Sequence, residues 1–196
     1  LVQLSSLTDR VELLTCSGEM GERAARAVNL VPTSLIETTA TTTRTDTINA
    51  VRTLIDSDVQ LILFAGGDGT ACDVFSTLDE ATPILGIPVG VKMHSAVFAN
   101  SSGAAGRVLS NLVSRTSRNF PIKLAEIVDL DEDARRRGSI QTTIVGYANV
   151  PVDRTLIQSP KTYGAADQAQ ATNSIGKYLI QNLIILLKNQ INYGCF

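Results

Sequence analysis

An uninterrupted apolar run, Leu61 to Ala65, indicates a buried strand in the first half of the chain. Runs without alternation are typical of parallel strands that are covered on both faces. A glycine-rich loop, Gly66 to Thr70, follows the run, and residues 71–78 beyond it fit a helix. We therefore predict a strand–loop–helix unit with the loop at the carboxyl end of the strand.

The segments around this unit alternate between strand-like and helix-like patterns. In the helix predicted over 47–57, apolar residues keep helical spacing, and Thr45 or Asp46 is the expected N-cap. The alternation predicts an α/β fold, a parallel sheet with flanking helices that binds ligands beyond the carboxyl ends of its strands. The other predicted elements are strands at 11–15, 35–39 and 82–88 and helices at 23–29 and 96–113.

The pattern changes near residues 119–121. Residues 124–130 and 140–150 fit strands, and a late helix is predicted over 164–187. We therefore expect an α/β domain over 1–120. Residues 121–196 are expected to form part of a smaller β-rich domain with a late helix.

Composition excludes several classes of protein. The net charge of −2 gives no electrostatic case for binding nucleic acid or an acidic membrane surface. No apolar stretch reaches the ~18 residues of a membrane span. Three cysteines without metal-ligand spacing favour a reducing cytoplasm. Because the chain starts at Leu1, without methionine, and ends at Phe196 without a packed closing element in its pattern, we expect a sequence truncated at both ends.

The loop after the strand has the chemistry of a phosphate site. Three glycines within residues 66–69 are expected to adopt positive φ and to bring the backbone close to a ligand. The following helix would direct its N-terminal amides at an anion. Asp68 would be repelled by a phosphate unless it shares a cation with it or takes a proton from an attacking hydroxyl, which suggests phosphoryl transfer. The alternative is a tight Gly-Asp-Gly turn with no chemistry.

A second polar loop follows the strand predicted at 82–88. It carries Lys92, His94 and Ser95, and His94 is the only histidine in the chain. A lone histidine more often makes a structural hydrogen bond, and a lone lysine is usually solvated. Two polar loops at neighbouring strand ends nevertheless favour one shared pocket.

Several motifs resemble the ATP-NAD kinase-like family, and within it the acetoin-catabolism X-type branch. The similar segments cover roughly residues 11 to 100, and 126–151 more weakly. The Gly-Gly-Asp-Gly core is shared with lipid kinases and phosphofructokinases. The segments that carry the resemblance are Gly18–Gly21, Thr45–Thr47, Asp58–Val74, Leu85–Pro88 and Gly90–Ser95.

The resemblance implies an NAD kinase-type enzyme for the full-length protein, in which ATP or polyphosphate phosphorylates the ribose 2′-hydroxyl of NAD. It makes the α/β domain over 1–120 the nucleotide-binding domain. Asp68 would be the general base or would organise a metal, and Mg²⁺ would bridge the donor phosphates. No metal ligand is assigned directly beyond Asp68, and homo-oligomers are expected because such kinases commonly oligomerise. The residues implied in nucleotide and phosphate binding are Gly66, Gly67, Gly69, Thr70, Lys92, His94 and Ser95.

The chain departs from the branch at identifiable places. Cys72 stands where the branch usually carries arginine, and Val89 replaces alanine. The Asn-Glu pair that binds the adenosine of NAD is not found. These departures keep three alternatives open: a nucleotide-binding accessory protein without activity, a kinase for another small alcohol such as a lipid or sugar, and an inactive truncated chain with an unpaired sheet edge.

Overall fold

The structure is a computed structural model that describes residues 11–38, 41–89, 93–115, 120–130, 142–153, 156–157 and the backbone of 184–186. Within these ranges, no helix has the length and apolar character to cross a membrane. Strands and helices alternate through the first half, followed by a long hairpin. The elements in chain order are β1 (Leu14–Cys16), α1 (Glu22–Arg26), β2 (Thr33–Ile36), α2 (Arg44–Asp56), β3 (Ile62–Gly66), α3 (Asp68–Phe75), β4 (Ile84–Pro88), α4 (Ser102–Val113), β5 (Ile122–Leu130), β6 (Thr142–Pro151) and β7 (Ile184–Leu186).

Five strands form the main sheet, in the order β2-β1-β7-β3-β4. The pairs β1–β2 and β3–β4 are parallel, while β7 runs antiparallel to both of its neighbours, β1 and β3. The second sheet is the antiparallel β5–β6 hairpin. The predicted α/β class, with a β-rich region after the first domain, is confirmed.

The core lies around β3, as its apolar run predicts. Ile62, Leu63 and Phe64 are completely buried. The ring of Phe64 meets that of Phe98 edge to face, with 5.5 Å between the centroids. This packing fixes β3, and with it the point at which the loop before α3 begins.

The late helix predicted over 164–187 is wrong for residues 184–186, which form β7. The residues before them in that prediction lie outside the described ranges. The apolar stretch Ile184–Leu186, with two β-branched isoleucines, pairs with backbone groups on both sides, at Thr15 and at Leu63. Long-range pairing therefore overrides the local preference for helix. A segment assigned to the second domain thus completes the first sheet, and the division at residue 120 stays a prediction.

The start of α2 corrects the predicted cap. The helix begins at Arg44, so Thr43 is the N-cap and Asp46 lies in the first turn. Asp46 Oδ2 accepts the backbone N–H and the hydroxyl of Thr43, each at 2.7 Å. The carboxylate reaches back to the cap, as in a capping box. The prediction missed this capping box because it took Asp46 as a possible N-cap residue.

We expect Asp46→Ala to lower the Tm at neutral pH, because α2 loses this reciprocal cap. Hydrogen bonds from the Thr43 side chain and backbone lower the pKa of Asp46. A lowered pKa contributes stability above the unfolded-state pKa, and that contribution disappears as the pH falls through the folded-state value. Thermal melts of both proteins from pH 7 to pH 3 should therefore converge at the acidic end. A Tm difference that stays constant across this range would contradict the role of the Asp46 charge.

The β5–β6 hairpin packs one face against α3, and the chain after β4 binds the outer edge of β5. Gly146 lies so close to Phe75 that a Cβ there would come within 2.3 Å of the ring. On the edge of β5 that does not pair with β6, the Glu126 carbonyl accepts the Ala96 N–H at 2.8 Å. The chain after β4 therefore links the main sheet to the hairpin.

Candidate functional site

Two loops meet at the carboxyl ends of the adjacent parallel strands β3 and β4. The chain leaves β3 at Gly66 and enters α3 at Asp68 after a single residue, Gly67. The Val89 N–H, just after β4, donates to the Gly66 carbonyl at 3.0 Å. The two segments are thus tied together at their bases.

Asp68 is the centre of this arrangement and is only 5% exposed. Its Oδ1 accepts the backbone N–H of Ser95 at 2.8 Å, and its Oδ2 accepts that of His94 at 2.9 Å. The His94 N–H also lies 3.1 Å from Oδ1. Within the described residues Oδ2 has this one partner, so it keeps capacity for a further bond. The carboxylate is therefore held in a fixed orientation with one oxygen able to receive a proton or a cation.

Ser95 is completely buried, and its hydroxyl binds β5. It accepts the Val128 N–H at 3.0 Å and lies 3.3 Å from the Val128 carbonyl, to which it donates. The hydroxyl thus both accepts a hydrogen bond from the backbone of Val128 and donates one to it. His94 is half-buried and contributes its backbone N–H to Asp68. Sequence reasoning placed both residues at the site but did not foresee that they act through the main chain.

The glycines of the loop are needed for a different reason from the expected one. Positive φ among the described glycines occurs at Gly18 and Gly21, so the prediction of positive φ within 66–69 is wrong. A Cβ on Gly66 would lie 2.4 Å from Thr70 Oγ1. A Cβ on Gly69 would meet nothing within 4 Å. Gly66 therefore permits close packing of the helix start, and Gly69 faces open space where a ligand can approach the backbone.

Several charged groups surround Cys72, one turn into α3. Burial is the largest of the effects that raise the pKa of the Cys72 thiol to about 11, and the carboxylates of Asp129, Asp68 and Asp73 also contribute, in that order of effect. Arg44 opposes this rise, and its Nε donates to Asp73 Oδ1 at 2.5 Å. The thiol is therefore neutral at physiological pH. Sequence reasoning missed the Arg44–Asp73 pair because the two residues are 29 positions apart and no single motif contains both.

Comparison of the sequence with known proteins identifies its family. The family model described as ATP-NAD kinase N-terminal domain matches residues 3–116. The chain belongs to the ATP-NAD kinase family. No curated protein and no solved structure matches the chain.

The matched region of this ATP-NAD kinase family member spans β1 to α4 and includes both loops of the site. It is thus the N-terminal domain of a kinase-like phosphotransferase. The family uses ATP as phosphoryl donor, which implies nucleotide substrates.

Two expectations for this kinase-family site concern Lys92 and a metal ion. Lys92 lies outside the described residues, together with Gly90 and Val91. In the parts of the chain that the structure describes, no three histidine, cysteine or acidic side chains converge to hold a metal ion. Asp68 can offer one oxygen, so the described residues fit an ion that is carried in by phosphates better than one held in a protein cage.

Proposed function

We propose that the full-length protein transfers the γ-phosphoryl group of ATP to the ribose 2′-hydroxyl of NAD, giving NADP and ADP. The observation that carries this proposal is the Asp68 carboxylate, which two backbone N–H groups fix at the start of α3 beside the open side of Gly69. A buried carboxylate with one free acceptor position is suited to take a proton from a bound hydroxyl. The resemblance of the motifs to the acetoin-catabolism X-type branch supports the same reaction.

The geometry supports the following roles. Asp68 Oδ2 takes the proton of the 2′-hydroxyl as the oxygen forms its bond to the γ-phosphorus, and the bond from that phosphorus to the β,γ-bridging oxygen breaks to release ADP. Gly67 and Gly69 let the phosphates approach the backbone, and the N-terminal amides of α3 favour their charge. We keep Thr70, Lys92 and His94 in the phosphate-binding set and leave Ser95 out, because its hydroxyl is bound to Val128. Mg²⁺ supplied with ATP would neutralise phosphate charge.

The experiment is the formation of NADP by full-length protein that contains this chain. Purified protein is incubated with NAD and Mg²⁺–ATP, and NADP is measured with an NADP-specific dehydrogenase. We expect NADP to accumulate in proportion to ADP release and to stop when EDTA removes Mg²⁺. A second arm replaces ATP with polyphosphate. If a sample with a cooperative thermal transition forms no NADP with either donor, the proposal is overturned.

A second candidate is a nucleotide-binding accessory protein without kinase activity. It is favoured by the neutral Cys72 thiol, which offers no charge to a phosphate where the branch carries arginine. Calorimetry that detects ATP or NAD binding in a sample without turnover would support this candidate. ADP release that needs another alcohol in place of NAD would instead identify a different acceptor. A cytoplasmic location and a homo-oligomer stay predictions.

A further inference from the structure

Arg44 and Asp73 connect two helices, α2 and α3, near the carboxyl ends of the strands that precede them. Arg44 is the first residue of α2, and its Nε donates to Asp73 Oδ1 of α3. The arginine side chain is 67% exposed, whereas that of Asp73 is 23% exposed. Because guanidinium has five N–H donors and this bond uses one, the group has further donors to offer a ligand.

The pair borders the open space beside the glycine-rich loop. Asp73 lies four residues after Gly69 in α3, so the two occupy the same face of the helix one turn apart. Helical side chains lean toward the N-terminus, which directs that of Asp73 toward Gly69. The bond to Asp73 therefore holds the Arg44 guanidinium about one helical turn from Gly69, whose Cβ position meets nothing within 4 Å.

A phosphate in this space would lie among negative charges. The carboxylates of Asp68, Asp73 and Asp129 all act on the Cys72 thiol, and a phosphate brought among them would be repelled. Of the charged groups that act on this thiol from within the described residues, Arg44 is the cation. An exposed ion pair contributes little to stability, so stability alone gives no account of its position.

We propose that Arg44, positioned by Asp73, binds a phosphate group of the nucleotide that occupies the space beside Gly69. This inference rests on the proposed function, since it assigns a residue to the same site. Guanidinium matches phosphate through paired N–H donors, which a lysine cannot reproduce. The phosphate belongs either to the donor ATP or to NAD, and titrating each nucleotide alone shows which of them Arg44 binds.

The test compares Arg44→Met, Arg44→Lys and Asp73→Asn in the full-length protein, with calorimetric titration of Mg²⁺–ATP and of NAD. We expect Arg44→Met to raise the Kd of one of the two nucleotides about tenfold or more, with Arg44→Lys in between. Arg52→Met is the matched control, because Arg52 is an exposed arginine two turns further along the same helix. It should bind both nucleotides as the wild type does. Melting curves should be nearly the same for all of these proteins.

Asp73 acts through Arg44, and a double variant tests this. Asp73→Asn alone should weaken binding, because Arg44 loses its anchor. In the Arg44→Met background the same change should not weaken binding further, since Asp73 then only repels the phosphate. Equal Kd values for wild type and Arg44→Met, in a protein that binds ATP or NAD, would overturn the role of Arg44 and leave the proposed function standing. A folded wild type that binds neither nucleotide would overturn both.

Discussion

Asp68→Asn is expected to lower the rate of phosphoryl transfer by about 10³-fold, the largest effect of any single substitution at this site. The amide cannot accept the proton of the attacking hydroxyl, while its size and shape stay the same. The measurement is the turnover number for NADP formation at saturating ATP and NAD. Because the substitution removes proton transfer and leaves the backbone contacts of the phosphates, we expect turnover to fall far more than nucleotide affinity.

The same substitution also has a structural cost. In the wild type both carboxylate oxygens accept backbone N–H groups of the 94–95 segment. Asparagine keeps one acceptor and places an NH₂ group opposite one of these donors. We expect a loss of about 1–3 kcal/mol in the free energy of unfolding, as for a buried donor that loses its partner. Activity is therefore measured well below the Tm of the variant.

Asp79→Asn is the matched control for this experiment. Asp79 also holds a loop through its carboxylate, whose Oδ1 accepts the Thr82 N–H at 2.7 Å, but it is exposed and precedes β4. Its substitution should leave turnover unchanged. If folded Asp68→Asn protein retains turnover within about tenfold of the wild type, Asp68 is not the base, because general base catalysis contributes more than that.

The sequence predicted those parts of the fold that depend on local pattern. Every residue of β3 is buried, so an uninterrupted apolar run is enough to reveal that both faces of the strand are covered. The β7 strand could not be found in this way. Its three residues are extended because β1 and β3 offer unpaired backbone groups, and a helical pattern in the sequence does not report such a long-range partner.

The site was predictable in its residue types and less so in their contacts. Asp68 stands out in the sequence because a phosphate repels a carboxylate that neither shares a cation with it nor takes a proton, and the structure brings Asp68 to the 94–95 segment. The partners are backbone N–H groups, which every residue carries, so no side-chain pattern reveals them. The Arg44–Asp73 contact likewise depends on how α2 packs beside α3. Sequence spacing within either helix gives no information on that packing.

Gly66→Ala and Gly69→Ala are expected to separate the structural glycine from the one that admits ligand. In Gly66→Ala the new Cβ would lie 2.4 Å from Thr70 Oγ1 and 2.6 Å from Thr70 Cβ. Since a Cβ atom moves only with its backbone, the start of α3 must shift. We expect a loss of about 1–3 kcal/mol in the free energy of unfolding, typical of an overpacked site. Activity should fall as well, because Asp68 begins the displaced helix.

Gly69→Ala should behave in the opposite way. Its Cβ meets open space within the described structure, and alanine is the better helix former by about 1 kcal/mol, so the Tm should hold or rise. The methyl group would occupy the space that we assign to phosphate, so the Kd for nucleotide should rise while stability does not fall. Urea unfolding and calorimetric titration of both variants measure the two effects. Nucleotide affinity unchanged in a stable Gly69→Ala protein would show that the ligand does not approach α3 from this side, and would move the phosphate site away from the loop.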